Sequence, residues 1–150
     1  MTSIRRLLHR RGFGIHSPWV YTLLRDVLFE PLPYYTFSQL RQQFPGRTGR
    51  QIAMDEQLFR LAHYASPVPV TIIGNASHST NEYIRQGAAT SRNQATTPIE
   101  KIIVVEDIEA NHDTWQKYLD DPAATATFDV EGRRGIAIYN PKLSKLHYNV

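Results

Sequence analysis

A chain of 150 residues, 41% hydrophobic and carrying eight tyrosines and six phenylalanines, is long enough to bury one core and reads as a single domain. The absence of cysteine excludes disulfides, thiolate metal sites and cysteine nucleophiles. Its net charge of +3 is unevenly placed: residues 1–50 hold eight arginines against Asp26 and Glu30, a balance of +6, while residues 51–150 balance at −3.

No apolar run approaches the roughly 18–20 residues of a membrane-spanning helix, and MTSIRRLLHRR is not followed by the apolar stretch of a secretory signal. A cytoplasmic protein without a membrane partner is expected. Arg5, Arg6, Arg10 and Arg11 superficially resemble a transit peptide, but helical packing signals follow at once. A basic arm can neutralise phosphates, yet no interleaved aromatic pattern accompanies this one, so it reads as a solvated or self-docking arm and nucleic acid is not the expected partner.

Three helices are expected in residues 1–66. Ser17 and Pro18 form a start signal, a capping hydroxyl followed by a proline suited to the first helical position. Val20, Leu23, Leu24, Val27 and Leu28 then repeat at helical spacing up to Pro31. Thr36 with Gln39 fits a capping box, and Phe37, Leu40 and Phe44 extend an apolar face to Pro45. PGRTGR reads as a glycine-rich basic loop, after which Leu58, Leu61, Ala62 and Ala65 mark a third helix ending at Pro67. These helices form a layer expected to cover a sheet.

Residues 67–150 read as an α/β core. Val70–Ile73 is a short strand, followed by Gly74 and a polar segment that starts a helix near Ser79 or Thr80. Lys101–Val105 is a continuous β-branched run of the kind buried on both faces, which suggests a parallel partner. The 27 residues 74–100 hold one crossover helix and no further strand–helix unit. Ile108, Trp115, Tyr118 and Leu119 mark another helix. Thr125–Val130 and Gly135–Tyr139 alternate around EGRR, an antiparallel hairpin.

The segment RRGFGIHSPWVYTLLRDVLFEPLPYY resembles the opening of bacterial methyltransferase-like proteins. VTIIGNASHST is similar to their cofactor loop, and IIVVEDIEANHDTWQKY with TFDVEGRRGIAIYNPKLSKLHYNV is similar to their final strands. The resemblance is to class I S-adenosylmethionine-dependent methyltransferases. It implies a truncated Rossmann-like, mainly parallel sheet with a C-terminal antiparallel hairpin, and S-adenosylmethionine as cofactor. The positions it assigns to the cofactor are Gly74, Asn75, Ser77, Glu106 and Asp107; it assigns no catalytic residue and no metal.

Such a fold brings backbone close to the ligand after its first strand and sets an acid at the end of the next to accept ribose hydroxyls. Gly74 is placed for close approach, but residues 75–79 supply no second glycine, and His78 would crowd the loop. The acid-bearing second strand of the family has no counterpart. Glu106 and Asp107 align instead with an acidic pair after a later strand, near the reactive face or a metal, or Asp107 simply caps the next helix. Adjacent strand residues point to different faces, so the pair does not chelate as a unit.

There is no phosphate-loop, nucleophile-elbow or H-E-x-x-H motif, and the six histidines lack metal-ligand spacing. His16, within GFGIHSP, has no role that the sequence assigns beyond docking the arm. The expected function is a methyltransferase-like domain with impaired or lost catalysis. The alternatives are an active small-molecule methyltransferase and anion or nucleic-acid binding by the basic arm. A shortened sheet also leaves an edge that a second copy of the chain would cover.

Overall fold

The computed structural model describes residues 4–11, 14, 15, 17–91 and 98–150. His16 and part of the GFGIHSP segment lie outside the described residues. The helical layer comprises α1 (Ile4–Arg10), α2 (Pro18–Leu23), α3 (Phe37–Gln43) and α4 (Gly49–Ala65). The remainder runs β1 (Val70–Ile73), α5 (His78–Thr90), β2 (Lys101–Glu106), α6 (His112–Asp120), β3 (Ala126–Val130), β4 (Arg134–Tyr139) and β5 (Leu146–Asn149).

Among the described residues the strands form one five-stranded sheet in the order β1-β2-β4-β3-β5. β1 pairs parallel with β2, as the β-branched run of β2 suggested. The β3–β4 hairpin is antiparallel as expected, and its second strand lies between β3 and β2, antiparallel to both. β5, which sequence alternation did not single out, pairs parallel with β3. The sheet is therefore mixed: four strands run one way and β4 alone is reversed, giving two parallel and two antiparallel pairings.

Both faces of the sheet are covered. Ile102 and Val104 of β2 join Phe128, Ile136 and Ile138 in a core shared with Val20, Leu23, Leu24, Leu28, Leu58 and Leu61 of the helical layer. Ile103 and Val105, one residue out of phase, pack with Trp115 of α6 and Ala137 on the other face. Phe37 and Leu40 of α3 form a third cluster with Phe59 and Tyr83 between α4 and α5.

Helix ends explain where sequence periodicity failed. Ser17 caps α2 as expected, its hydroxyl accepting from Val20 N–H at 3.3 Å. The helix then widens into a π-helical segment, Leu24–Leu28. The last carbonyls of that segment are taken by a buried guanidinium, with Arg60 Nε donating to Val27 O at 2.7 Å and Nη2 to Leu28 O at 2.9 Å. The capping box expected at Thr36 does not form: Thr36 has helical dihedrals and no capping bond. The box lies at Thr48 and Gln51, which exchange hydrogen bonds of 3.0 and 3.2 Å. The second half of PGRTGR is thus the start of α4, and not a loop.

Two glycines let elements approach closely. A Cβ on Gly87 of α5 would lie 2.3 Å from Phe59 O of α4, and one on Gly135 of β4 would lie 2.5 Å from the Trp115 ring. Only hydrogen at these positions permits the observed packing.

Candidate functional site

A cleft of about 480 Å³ opens at the carboxyl end of β2. One wall is the start of α4, another the first turn of α5, and the rest comes from the turns following β2 and preceding β4. Its lining is polar and holds arginines and carboxylates in equal number, namely Arg47, Arg50, Arg133 and Arg134 with Asp55, Glu106, Asp107 and Glu109.

Half of these charges answer one another. Arg134 is 1% exposed and all of its guanidinium nitrogens are partnered. Nε and Nη2 donate to the two oxygens of Glu106 at 2.5 and 3.2 Å, while Nη1 donates to Met54 O at 2.7 Å and Gln57 Oε1 at 3.2 Å. One side chain therefore ties β4 to β2 and to α4, and the forked geometry suits a carboxylate. Asp55, 2% exposed, accepts from Ser79 Oγ at 2.8 Å, Thr80 Oγ1 at 2.6 Å and Arg47 Nη2 at 2.7 Å. That set fastens the first turn of α5 to α4.

Glu131 borders the cleft between Arg10 Nη2 at 2.8 Å and Arg50 Nη2 at 2.6 Å. Burial opposes its ionisation, but the two guanidinium groups prevail and hold the carboxyl below its ordinary range. The groups left outward at the rim are Asp107, Glu109 and Arg133, all exposed. Asp107 and Glu131 adopt left-handed φ values of 51° and 57°, a conformation that costs a non-glycine residue energy and recurs in special turns. The two turns are joined by a main-chain hydrogen bond from Ile108 N–H to Arg133 O of 2.9 Å.

The residues expected to touch a cofactor are divided by this geometry. Glu106 and Asp107 line the cleft; Gly74, Asn75 and Ser77 are not among its lining residues. Gly74 has φ +107°, and a Cβ there would meet Glu106 O at 3.2 Å and Asn111 Nδ2 at 3.7 Å. Its close approach is to the end of β2. Ser77 caps α5, accepting from Thr80 N–H at 3.1 Å, and also accepts from Arg47 Nη1 at 3.2 Å. Asn75 is exposed.

Asp107 does not cap α6. Its carboxylate accepts from Ala110 N–H at 3.4 Å inside the preceding turn, and α6 begins after Asn111 without a side-chain cap. Among the described residues no group of three or more His, Asp or Glu side chains could hold a metal ion.

Sequence reasoning missed Arg134 and Asp55, although both carried a signal. Arg134 is in phase with the buried Ile136 and Ile138 of its strand, and Asp55 lies three and four residues before the buried Leu58 and Phe59. A charge in phase with a buried face needs a partner of opposite sign.

The basic arm is self-docked in its inner half. Arg6 Nη1 donates to Asp129 O and Oδ1 at 2.8 and 3.0 Å and to Val150 O at 3.1 Å. His9 Nδ1 lies 2.9 Å from Asn149 O, and Arg10 holds Glu131. No helix among the described residues is long and apolar enough to cross a membrane. No family model, curated protein or solved structure matches the chain.

Proposed function

We propose that this chain is a methyltransferase-like α/β module that has lost S-adenosylmethionine binding, and catalysis with it, and that acts through binding. The observation that carries this reading is the state of Gly74 and Glu106. The glycine that should admit a ligand is pressed against the main chain of Glu106, and the Glu106 carboxylate is held on both oxygens by Arg134. Any ligand group would have to displace a buried guanidinium to reach that carboxylate, and removing one partner of a buried pair costs about 3–5 kcal/mol.

Calorimetric titration with S-adenosylmethionine and S-adenosylhomocysteine tests the reading. No binding at millimolar ligand is the expected result. Micromolar binding that weakens in Asp107→Asn would overturn it and restore an active small-molecule methyltransferase.

The same reading keeps a second copy of the chain as a partner. β1 ends the strand order, and among the described residues no strand pairs with its outer side. Unpaired strand edges are templates for pairing with another chain. The basic arm supports nucleic-acid binding less well, because Arg6 and Arg10 are already engaged with Asp129 and Glu131.

A further inference from the structure

α1 is amphipathic in the reverse sense from an ordinary surface helix. At about 100° per residue, Ile4, Leu7 and Leu8 share one face while Arg6, His9 and Arg10 share the opposite one. It is the polar face that docks on the protein, through the bonds to Asp129, Val150, Asn149 and Glu131 and through Arg10 stacked 4.4 Å from the centre of the Phe29 ring. The apolar face is turned to solvent, with Ile4 77%, Leu7 45% and Leu8 44% exposed.

We propose that this face is a docking surface for an anionic lipid bilayer, with α1 lying flat in the headgroup region. Two observations select that occupant. The outward surface combines the apolar stripe with Arg5 and Arg11, both exposed, and residues 1–25 contain no acid to neutralise them. Its complement is therefore an apolar layer with negative charge at its boundary, which is the composition of an anionic membrane interface.

A second copy meeting the stripe face to face would oppose arginine to arginine. A short convex helix also needs no preformed groove when the receiving surface is a fluid bilayer. The docked polar face serves this role, since it fixes the helix on the sheet with its apolar side already presented, so that little ordering remains on contact. Membrane contact of this kind requires no spanning segment, and it revises the expectation that the chain has no membrane partner.

Flotation with phosphatidylcholine vesicles, with and without about one quarter phosphatidylserine, tests this directly. The expected result is binding to the anionic vesicles only. It should weaken on going from about 0.1 M to about 1 M salt, as the screening length falls from about 10 to about 3 Å. Leu7→Ser with Leu8→Ser should reduce partitioning about tenfold, and Arg5→Gln about fivefold. These side chains are exposed, so the variants should melt as the parent does.

Absence of binding by the folded parent, or binding that the Leu7→Ser, Leu8→Ser variant retains in full, would overturn the proposal. So would a loss of self-association by that variant in the absence of vesicles, because the stripe would then be covered by another copy of the chain.

Discussion

Arg134 shows how much one side chain can decide. It is a charge inside a core, tolerated because Glu106, Met54 O and Gln57 take up its donors. Replacing it with methionine leaves Glu106 facing that core unpaired. Arg134→Met is expected to cost about 3 kcal/mol, the low end for a broken buried pair because the Glu106 side chain keeps 21% exposure. Urea denaturation reads the loss. Adding Glu106→Gln should return part of it, and the double-mutant cycle gives the coupling.

Tyr139 offers a pH handle at the same scale. Burial, and then its 2.8 Å hydrogen bond to Asp121 Oδ2, push the phenol up to about 12. Its ionisation is thus harder in the folded chain than in the unfolded one. The associated stability is fully present below the ordinary tyrosine value of about 10 and is lost as pH rises from there toward about 12. The difference in phenolate absorbance between the parent and Tyr139→Phe should show the late titration, and Asp121→Asn should bring it earlier.

Single residues were the least legible level of the sequence. Gly74 is singled out in the sequence as a point of close approach after a strand, and its close neighbour in the fold is the end of β2. Glu106 was placed correctly at the end of β2, and its partner Arg134 was hidden inside a segment read only as a turn, EGRR. The pairing depends on the register that sets Glu106 opposite Arg134, which no local pattern encodes.

At the scale of elements, α4 and α5 are the pair in most intimate contact. Gly87 sits within α5 with a would-be Cβ 2.3 Å from Phe59 O and 3.0 Å from Phe59 Cα, so relief requires the helices to separate. Alanine in place of a helix-interior glycine ordinarily adds roughly 0.5–1 kcal/mol of stability. Here Gly87→Ala is expected to remove about 1–3 kcal/mol, as overpacking does. A lowered thermal midpoint measures it, and the inverted sign separates packing from propensity.

Strands and helices with strong periodicity were legible: β1, β2, the β3–β4 hairpin and the apolar faces of α2 and α4 all lie where their patterns put them. Boundaries were harder because capping motifs compete. Thr36-x-x-Gln39 and Thr48-x-x-Gln51 are the same signal, and only the second has a chain entering from extended backbone, with Thr48 at ψ 156° against −17° for Thr36. The last carbonyls of the π-helical segment are satisfied by Arg60, which arrives from a different helix.

Across the whole molecule, the helical layer and the sheet share one core, so the cleft is built from parts distant in sequence. Its outline was invisible beforehand for that reason: residues 47–55 come from the segment read partly as a loop, and residues 132–134 from the hairpin turn. The outer edge of β1 also belongs to this scale. Sedimentation at high micromolar concentration is expected to show a dimer, and a strict monomer there would count against pairing through that edge.

The hydrogen bond from Ile108 to Arg133 has a mechanical consequence. It latches together the turns that carry the left-handed Asp107 and Glu131, while Asn111 Nδ2 bolts the first turn to Glu106 O at 3.0 Å from behind. The floor beneath is cross-braced where Asp55 accepts from Ser79 and Thr80. Parting of the two turns must break the bond from Ile108 to Arg133, so exchange of the Ile108 amide reports that opening.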